Sequence, residues 1–267
     1  MSGIVLRPRA AFSARVDLSG VTPAVLSALS LPEIERLPVP CGGRRPALAE
    51  LFFVENGPGE GVLLIEGGDA RLDHVGAGLA GGEIIVDGPV GAFAGRGMSG
   101  GVLRIAGAAG DFLGAELSGG RIEVAGNAGA HAGAATSGSR RGMSGGVLRI
   151  HGSAGVRLAE RQRGGLIVVA GDADEGLGTD MIAGTVAVAG SIGARAGRGM
   201  KRGTVLARSL PALPAGFVDT GTHDLVALRL LARRVADLAG MLDGSGTARR
   251  LVGDTLLGGQ GEVLVLG

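Results

Sequence analysis

VLLIEG at 62–67, EIIVDG at 83–88, VLRIAG at 102–107 and RIEVAG at 121–126 begin a series of apolar runs that end in glycine. The series continues with VLRIHG at 147–152, LIVVAG at 166–171, TVAVAG at 185–190 and, with the glycine lost, TVLARS at 204–209. Successive starts lie 21, 19, 19, 26, 19, 19 and 19 residues apart. The interval of 26 is one repeat plus a seven-residue insertion, 134–140, between NAGAHAG and RGMSGG. The second and fourth positions of each run are aliphatic (Leu103 and Ile105, Ile122 and Val124), while first and third positions accept Glu83, Arg104, Arg121, Glu123 and Arg149. That is strand alternation, with one face buried and the other wet. Strands that recur every 19 residues with no helical segment between them cannot form βαβ units, but they can stack as coils of a parallel β-helix.

The rest of each repeat agrees. Most copies follow the strand with G-x-x-G-x-x-x-G, as in Gly88/Gly91/Gly95 and Gly107/Gly110/Gly114, while two copies carry Ala159 and Asp174 in place of a glycine. Leu79, Met98, Leu117, Met143, Met181 and Met200 recur at one level and predict an inward column, which Gln162 interrupts. Left-handed hexapeptide helices use 18 residues per coil, and calcium-binding nonapeptide repeats need a motif that is absent here. The expectation is therefore all-β: a right-handed parallel β-helix of roughly seven to eight coils, about 35 Å long.

The flanks differ. Residues 1–60 hold seven of the ten prolines, and Thr22-Pro23 and Pro32 predict starts of short helices. Phe52 to Val54 reads as an irregular first coil. THDLVALRLLARRVADLA at 222–239 predicts an amphipathic helix capped by Thr222 and stopped by Gly240. GDTLLGGQGEVLVL reads as a loop and then a docking strand. The division is an N-terminal cap at 1–60, repeats at 61–209 and a helix with a tail at 210–267.

Composition excludes several functions. The 54 glycines in 267 residues lack the three-residue period of collagen, and 45% hydrophobic against 19% charged residues argues against disorder. A net charge of +1 gives no field for nucleic acid, and no apolar run predicts a membrane span or signal peptide, so a cytoplasmic location is expected. Cys41 alone makes no intrachain disulfide. His74, His131, His151 and His223 have no metal-ligand spacing, so each reads as a surface or turn histidine and no metal site is expected. A polysaccharide-cleaving β-helix would want aromatic platforms, and the chain has no Trp or Tyr.

The G-x-x-G-x-x-x-G repeats resemble the C-terminal β-helix domain of glutamate synthase. Together with the VDLSGV start at 16–21 and the tail from Gly253-Asp254 to Gly261-Glu262-Val263-Leu264, they resemble more closely the C subunit of formylmethanofuran dehydrogenase. Two branches of that family are implied: archaeal molybdenum or tungsten dehydrogenases, and bacterial formyltransferase/hydrolase complexes without redox activity. Lys201 is the sole lysine, and the Arg-rich composition leans to the bacterial branch. The resemblance implies a non-catalytic scaffold in one-carbon metabolism. The partners it implies are an amidohydrolase-like subunit, a formyltransferase subunit and a further subunit. They transfer formyl from tetrahydromethanopterin to methylofuran and hydrolyse it to formate, so methylofuran and the catalytic metal belong to them. No catalytic residue carries over to this chain. A glutamate-synthase-like domain split from its catalytic core is the alternative.

Equivalent positions then nominate contacts. Phe93 and Phe112 share one slot with His131, Arg157, Gly176 and Arg195, and as outward rings they would mark a partner patch; the opposite parity puts both inside. The third strand position runs Leu64, Ile85, Arg104, Glu123, Arg149, Val168, Ala187, Leu206. Its apolar ends, Val168 and Leu206 among them, predict contact with neighbouring subunits or with the terminal segments. Arg96, Arg141 and Arg198 each precede a Gly-Met pair and are candidates for an anion stripe that guides the polyglutamate tail methylofuran can carry. An ordinary solvated face is the plainer reading.

Overall fold

The structure, a computed structural model, describes residues 3–57, 59–210, 212–238, 241–242 and 246–266. The aliphatic runs form β4 (Val62–Glu66), β6 (Glu83–Asp87), β7 (Val102–Ile105), β8 (Arg121–Val124) and β9 (Val147–Ile150). They continue as β10 (Leu166–Val169), β11 (Thr185–Ser191) and β12 (Arg202–Ser209). Each pairs in parallel with the next, in the register the repeat dictates: Leu103 meets Ile122, Ile122 meets Leu148, and Leu148 meets Ile167. The 26-residue interval therefore returns to the same register. Second and fourth positions stack inward as two buried columns, Leu63 to Val205 and Ile65 to Ala207.

Two further ladders tie the repeats. Single parallel bridges run Val90, Ala109, Ala128, Ala154, Ala173, Ile192. On the next side the backbone arches, and its N–H groups alternate in direction. Phe93 N–H donates forward to Asp111 and Gly95 N–H back to Val75, while Gly97 N–H donates forward to Ala115, each at 2.8 Å. The return corner needs glycine. Gly120 has φ +80°, and a Cβ there would lie 2.7 Å from the carbonyls of Gly100 and Gly101. The thioether column is wholly buried. Gln162 keeps its place in it, with Nε2 donating to the carbonyls of Gly164 (3.0 Å) and Gly165 (3.2 Å).

Both ends close in the same manner. β1 (Gly3–Pro8) runs parallel to β4, and β3 (Phe52–Gly57) turns antiparallel against β1. At the other end β15 (Gln260–Leu266) runs parallel to β12, followed outward by antiparallel β14 (Thr247–Gly253) and β13 (Val218–Asp224). Among the described residues the result is one 13-stranded, mostly parallel sheet, and β2 (Val16–Asp17) and β5 (Leu72–Asp73) make a separate small pair. Thr22-Pro23 and Pro32 begin short helices as expected, α1 (Pro23–Leu26) and α2 (Leu31–Glu35), followed by α3 (Leu48–Leu51).

Three expectations are corrected. The chain leaves the stack at 136–141 and not at 134–140, because Ala134 accepts from Glu116 N–H and Ala135 N–H donates to Glu160 as ordinary rungs. Phe52 to Val54 belong to the outermost strand and not to a first coil, because β1 occupies the place beside β4. The C-terminal helix, α4 (Val226–Arg234), is shorter than 222–239. Thr222 lies in β13, where pairing with Arg249 of β14 outweighs its role as a cap, and Leu225 is the N-cap. Ala239 and Gly240 lie outside the described residues.

Candidate subunit-contact site

On the arch side four rings stack along the repeat axis: His74, Phe93, Phe112 and His131, with centroids 5.0, 4.9 and 4.8 Å apart and planes within 7° of parallel. All four residues have left-handed backbone, with φ between 58° and 61°. An L residue there costs roughly 1–2 kcal/mol, and an aromatic pair returns about 0.5–1.5 kcal/mol, so stacking offsets much of the strain. Ala94 and Leu113, the next residues along, point into the core, so Phe93 and Phe112 lie outside it, half-buried by one another. Their adjacency was readable from the 19-residue spacing. His74, 19 residues before Phe93, was missed as the first ring.

Both ends of the ring stack meet carboxylates. His74 Nδ1 lies 3.4 Å from Asp17, and His131 Nδ1 lies 3.1 Å from Glu160, which also pairs with Arg157 at 3.6 Å. Beside the rings the insertion folds back: Thr136 donates from its hydroxyl (2.5 Å) and its N–H (3.3 Å) to Glu116. Burial alone would raise the Glu116 carboxyl. Hydrogen bonds from Thr136 and Ser139, with the charge of Arg96, outweigh it and hold the group below its ordinary value.

The structure does not bring Arg96, Arg141 and Arg198 together. Arg96 pairs with Glu116 at 3.7 Å. The rungs beyond it place Ala115, Ala134, Glu160 and Thr179 at its level before Arg198 is reached, some 24 Å away at the inter-strand spacing. Arg141 belongs to the insertion, which shifts it out of that row: Gly142 N–H donates to Arg161 and Met143 N–H to Gly133. Arg198 lies instead with Arg195 on a cleft of about 560 Å³ walled by Leu213, Pro214 and Leu256.

On the strand side, Val168 and Leu206 are covered by the chain's own C-terminal segment. With Ala187 and Leu264 they form a second core beneath Leu228, Leu238, Met241 and Leu242. At the other end of the same column Leu64 and Ile85 are half-exposed. Between them runs a charged chain: Arg104 donates to Glu83 and to Glu123, both at 2.8 Å, and Glu123 meets His151 Nε2 at 3.1 Å. Glu123 is held below the ordinary carboxylate range, chiefly by His151, against a smaller opposing effect of burial, with help from Arg104 and Arg121.

Among the described residues no group of three or more His, Cys, Asp or Glu is placed to hold a metal ion, and no helix is long and apolar enough to cross a membrane. Cys41 is a half-buried free thiol.

One repeating sheet with a charged chain and an apolar trough on its outer face, and stacked rings on the neighbouring arch side, defines a repeat-built β protein. Comparison places it more closely. A chain of the crystal structure of the formyltransferase/hydrolase complex (FhcABCD) from Methylorubrum extorquens, in complex with methylofuran, matches 98% of this chain and 99% of its own length. The identity is 42% and the TM-score 0.91. The C subunit of that organism's formyltransferase/hydrolase complex is 44% identical over 86 residues, 32% of either protein. The C subunit of the molybdenum-containing formylmethanofuran dehydrogenase 1 of Methanothermobacter thermautotrophicus is 32% identical over 90 residues, 33% of this chain and 22% of that protein. These aligned stretches span a third or less of the curated relatives. No family model matches the chain. This chain belongs to the family of the C subunit of the formyltransferase/hydrolase complex.

Proposed function

We propose that this chain is the scaffold subunit of a formyltransferase/hydrolase complex. It holds together subunits that move a formyl group from tetrahydromethanopterin to methylofuran and release it as formate. Methylofuran and the catalytic metal reside on those partners, and the complex is cytoplasmic. The observation that carries this reading is end-to-end similarity, 98% and 99% of the two chains at 42% identity, to a chain within the FhcABCD assembly. The shorter, weaker match to the dehydrogenase subunit ranks the redox branch second.

The proposal extends to architecture. The three ladders of each repeat make the coils of a right-handed parallel β-helix at 61–209, between a cap at 1–60 and a closing segment at 210–267. Strand, bridge and arch sides that each bond only to neighbouring repeats support it. The half-buried rings Phe93 and Phe112 form a partner patch on its arch side.

The test is co-purification of the tagged chain from its native host, with mass spectrometry of what accompanies it. Recovery of a formyltransferase and an amidohydrolase-like subunit in one particle is expected. Recovery of molybdenum or tungsten dehydrogenase subunits supports the second reading, and a glutamate synthase partner overturns both.

A further inference from the structure

The third strand position faces outward along the whole sheet, and its two ends are treated differently. Over β10, β11, β12 and β15, α4 and the residues after it seal Val168, Ala187, Leu206 and Leu264. Over β4, β6, β7 and β8 nothing in the described chain does so. Leu64 and Ile85, at the same register position, line an open trough of about 620 Å³ with Ala106 and Ala125. Small side chains at Ala106 and Ala125 give the trough its depth.

Its charge is uneven. Glu66, Asp87 and Glu123 line it with one guanidinium, Arg104, and one imidazole, His151, which meets Glu123. Glu66 is answered by Arg7 at 2.7 Å and Glu123 by Arg104 at 2.8 Å. Asp87 is exposed and has no ion-pair partner among the described residues. The element that seals the far half offers a pattern for the occupant: α4 presents Leu228 and Leu231 to the sheet and carries Arg229 and Arg233.

We propose that this trough is the docking site for a basic amphipathic helix of another subunit of the assembly. The helix lies across β4 to β8 as α4 lies across β10 to β12. This rests on the reading of the chain as a member of a multi-subunit complex. The occupant's apolar side chains fill the space over Leu64 and Ile85, and one of its cations answers Asp87. Continuity with the α4 interface on the same sheet face and charge complementarity both favour it.

The experiment co-expresses the full chain with the formyltransferase and amidohydrolase-like subunits and weighs the purified particle by analytical ultracentrifugation. Three chains are compared: wild type, Leu64→Thr/Ile85→Thr and Asp87→Lys. Both variants, purified alone, are expected to melt within about 3 °C of wild type, since surface substitutions change stability little. In the mixture the double variant is expected to lose at least tenfold in retention of one partner, and Asp87→Lys several-fold. A photo-reactive phenylalanine analogue at position 85 of the assembled particle is expected to cross-link to a Lys/Arg-bearing helix of that partner. An intact particle with either variant overturns this proposal while leaving the assembly reading standing, and so does a cross-link to a second copy of this chain. Failure of wild type to assemble overturns both.

Discussion

Leu206 and Ile85 occupy equivalent positions on outward-facing strand faces of one sheet, yet the first is sealed and the second half-exposed. The period-2 pattern sets the inward columns along the whole stack without any help from the ends. The outward positions answer to something else: where the chain's own C-terminal segment lies, they are apolar, and in the middle, where water lies, they are Arg104, Glu123 and Arg149. At one end the chain itself covers the apolar outward positions; at the other, as proposed, a partner does.

The most severe way to break this contrast is Leu206→Asp, which buries an unpaired carboxylate in the core beneath α4. A loss of about 4 kcal/mol is expected in urea unfolding, enough to remove much of the stability of a typical domain. Leu228→Ala on the covering helix comes next, at about 3 kcal/mol. Native-state hydrogen exchange should show α4 opening before the central strands. Ile85→Ser, its counterpart on the open half, is expected to cost under about 1 kcal/mol in the isolated chain. A cost equal to that of Leu228→Ala would mean that the trough is already covered.

The smallest effect concerns the boundary between the halves. Glu123 has its folded-state pKa lowered, so its contribution to stability is present above the unfolded value of about 4.3 and is lost as pH falls through the folded value. Unfolding curves of Glu123→Gln between about pH 5 and pH 3 should therefore fall less steeply than those of wild type. An identical slope would remove the charged chain from the account.

What could be read in advance follows the same division. The stacked strands, the seven-residue insertion, the short proline-led helices and the docking strand at the C-terminus were legible because each is local or repeats at a fixed interval. The antiparallel strands at the ends were not. VDTGTHD in β13 shows no apolar alternation and is exposed almost throughout, so its strand character comes only from pairing with β14. Thr222 accordingly read as a helix cap. Among the candidate contact residues, the adjacency of Phe93 and Phe112 was legible from their spacing, whereas the three arginines do not share a row because the insertion shifts Arg141 out of its level. His74 escaped because a stacked histidine has no signal in sequence beyond its distance from the next ring.

The loop at 136–141 has a practical consequence. It leaves the stack after Ala135, whose N–H donates to Glu160, and returns at Gly142, whose N–H donates to Arg161, so the repeats above and below keep their bonds. At its tip Gly138 is exposed, and a side chain there would meet nothing within 4 Å. A foreign peptide spliced between Ser137 and Gly138 would therefore leave the register undisturbed. That makes this corner a place where the isolated chain can carry a fluorophore, which, sitting beside the stacked rings, would report on whatever covers them.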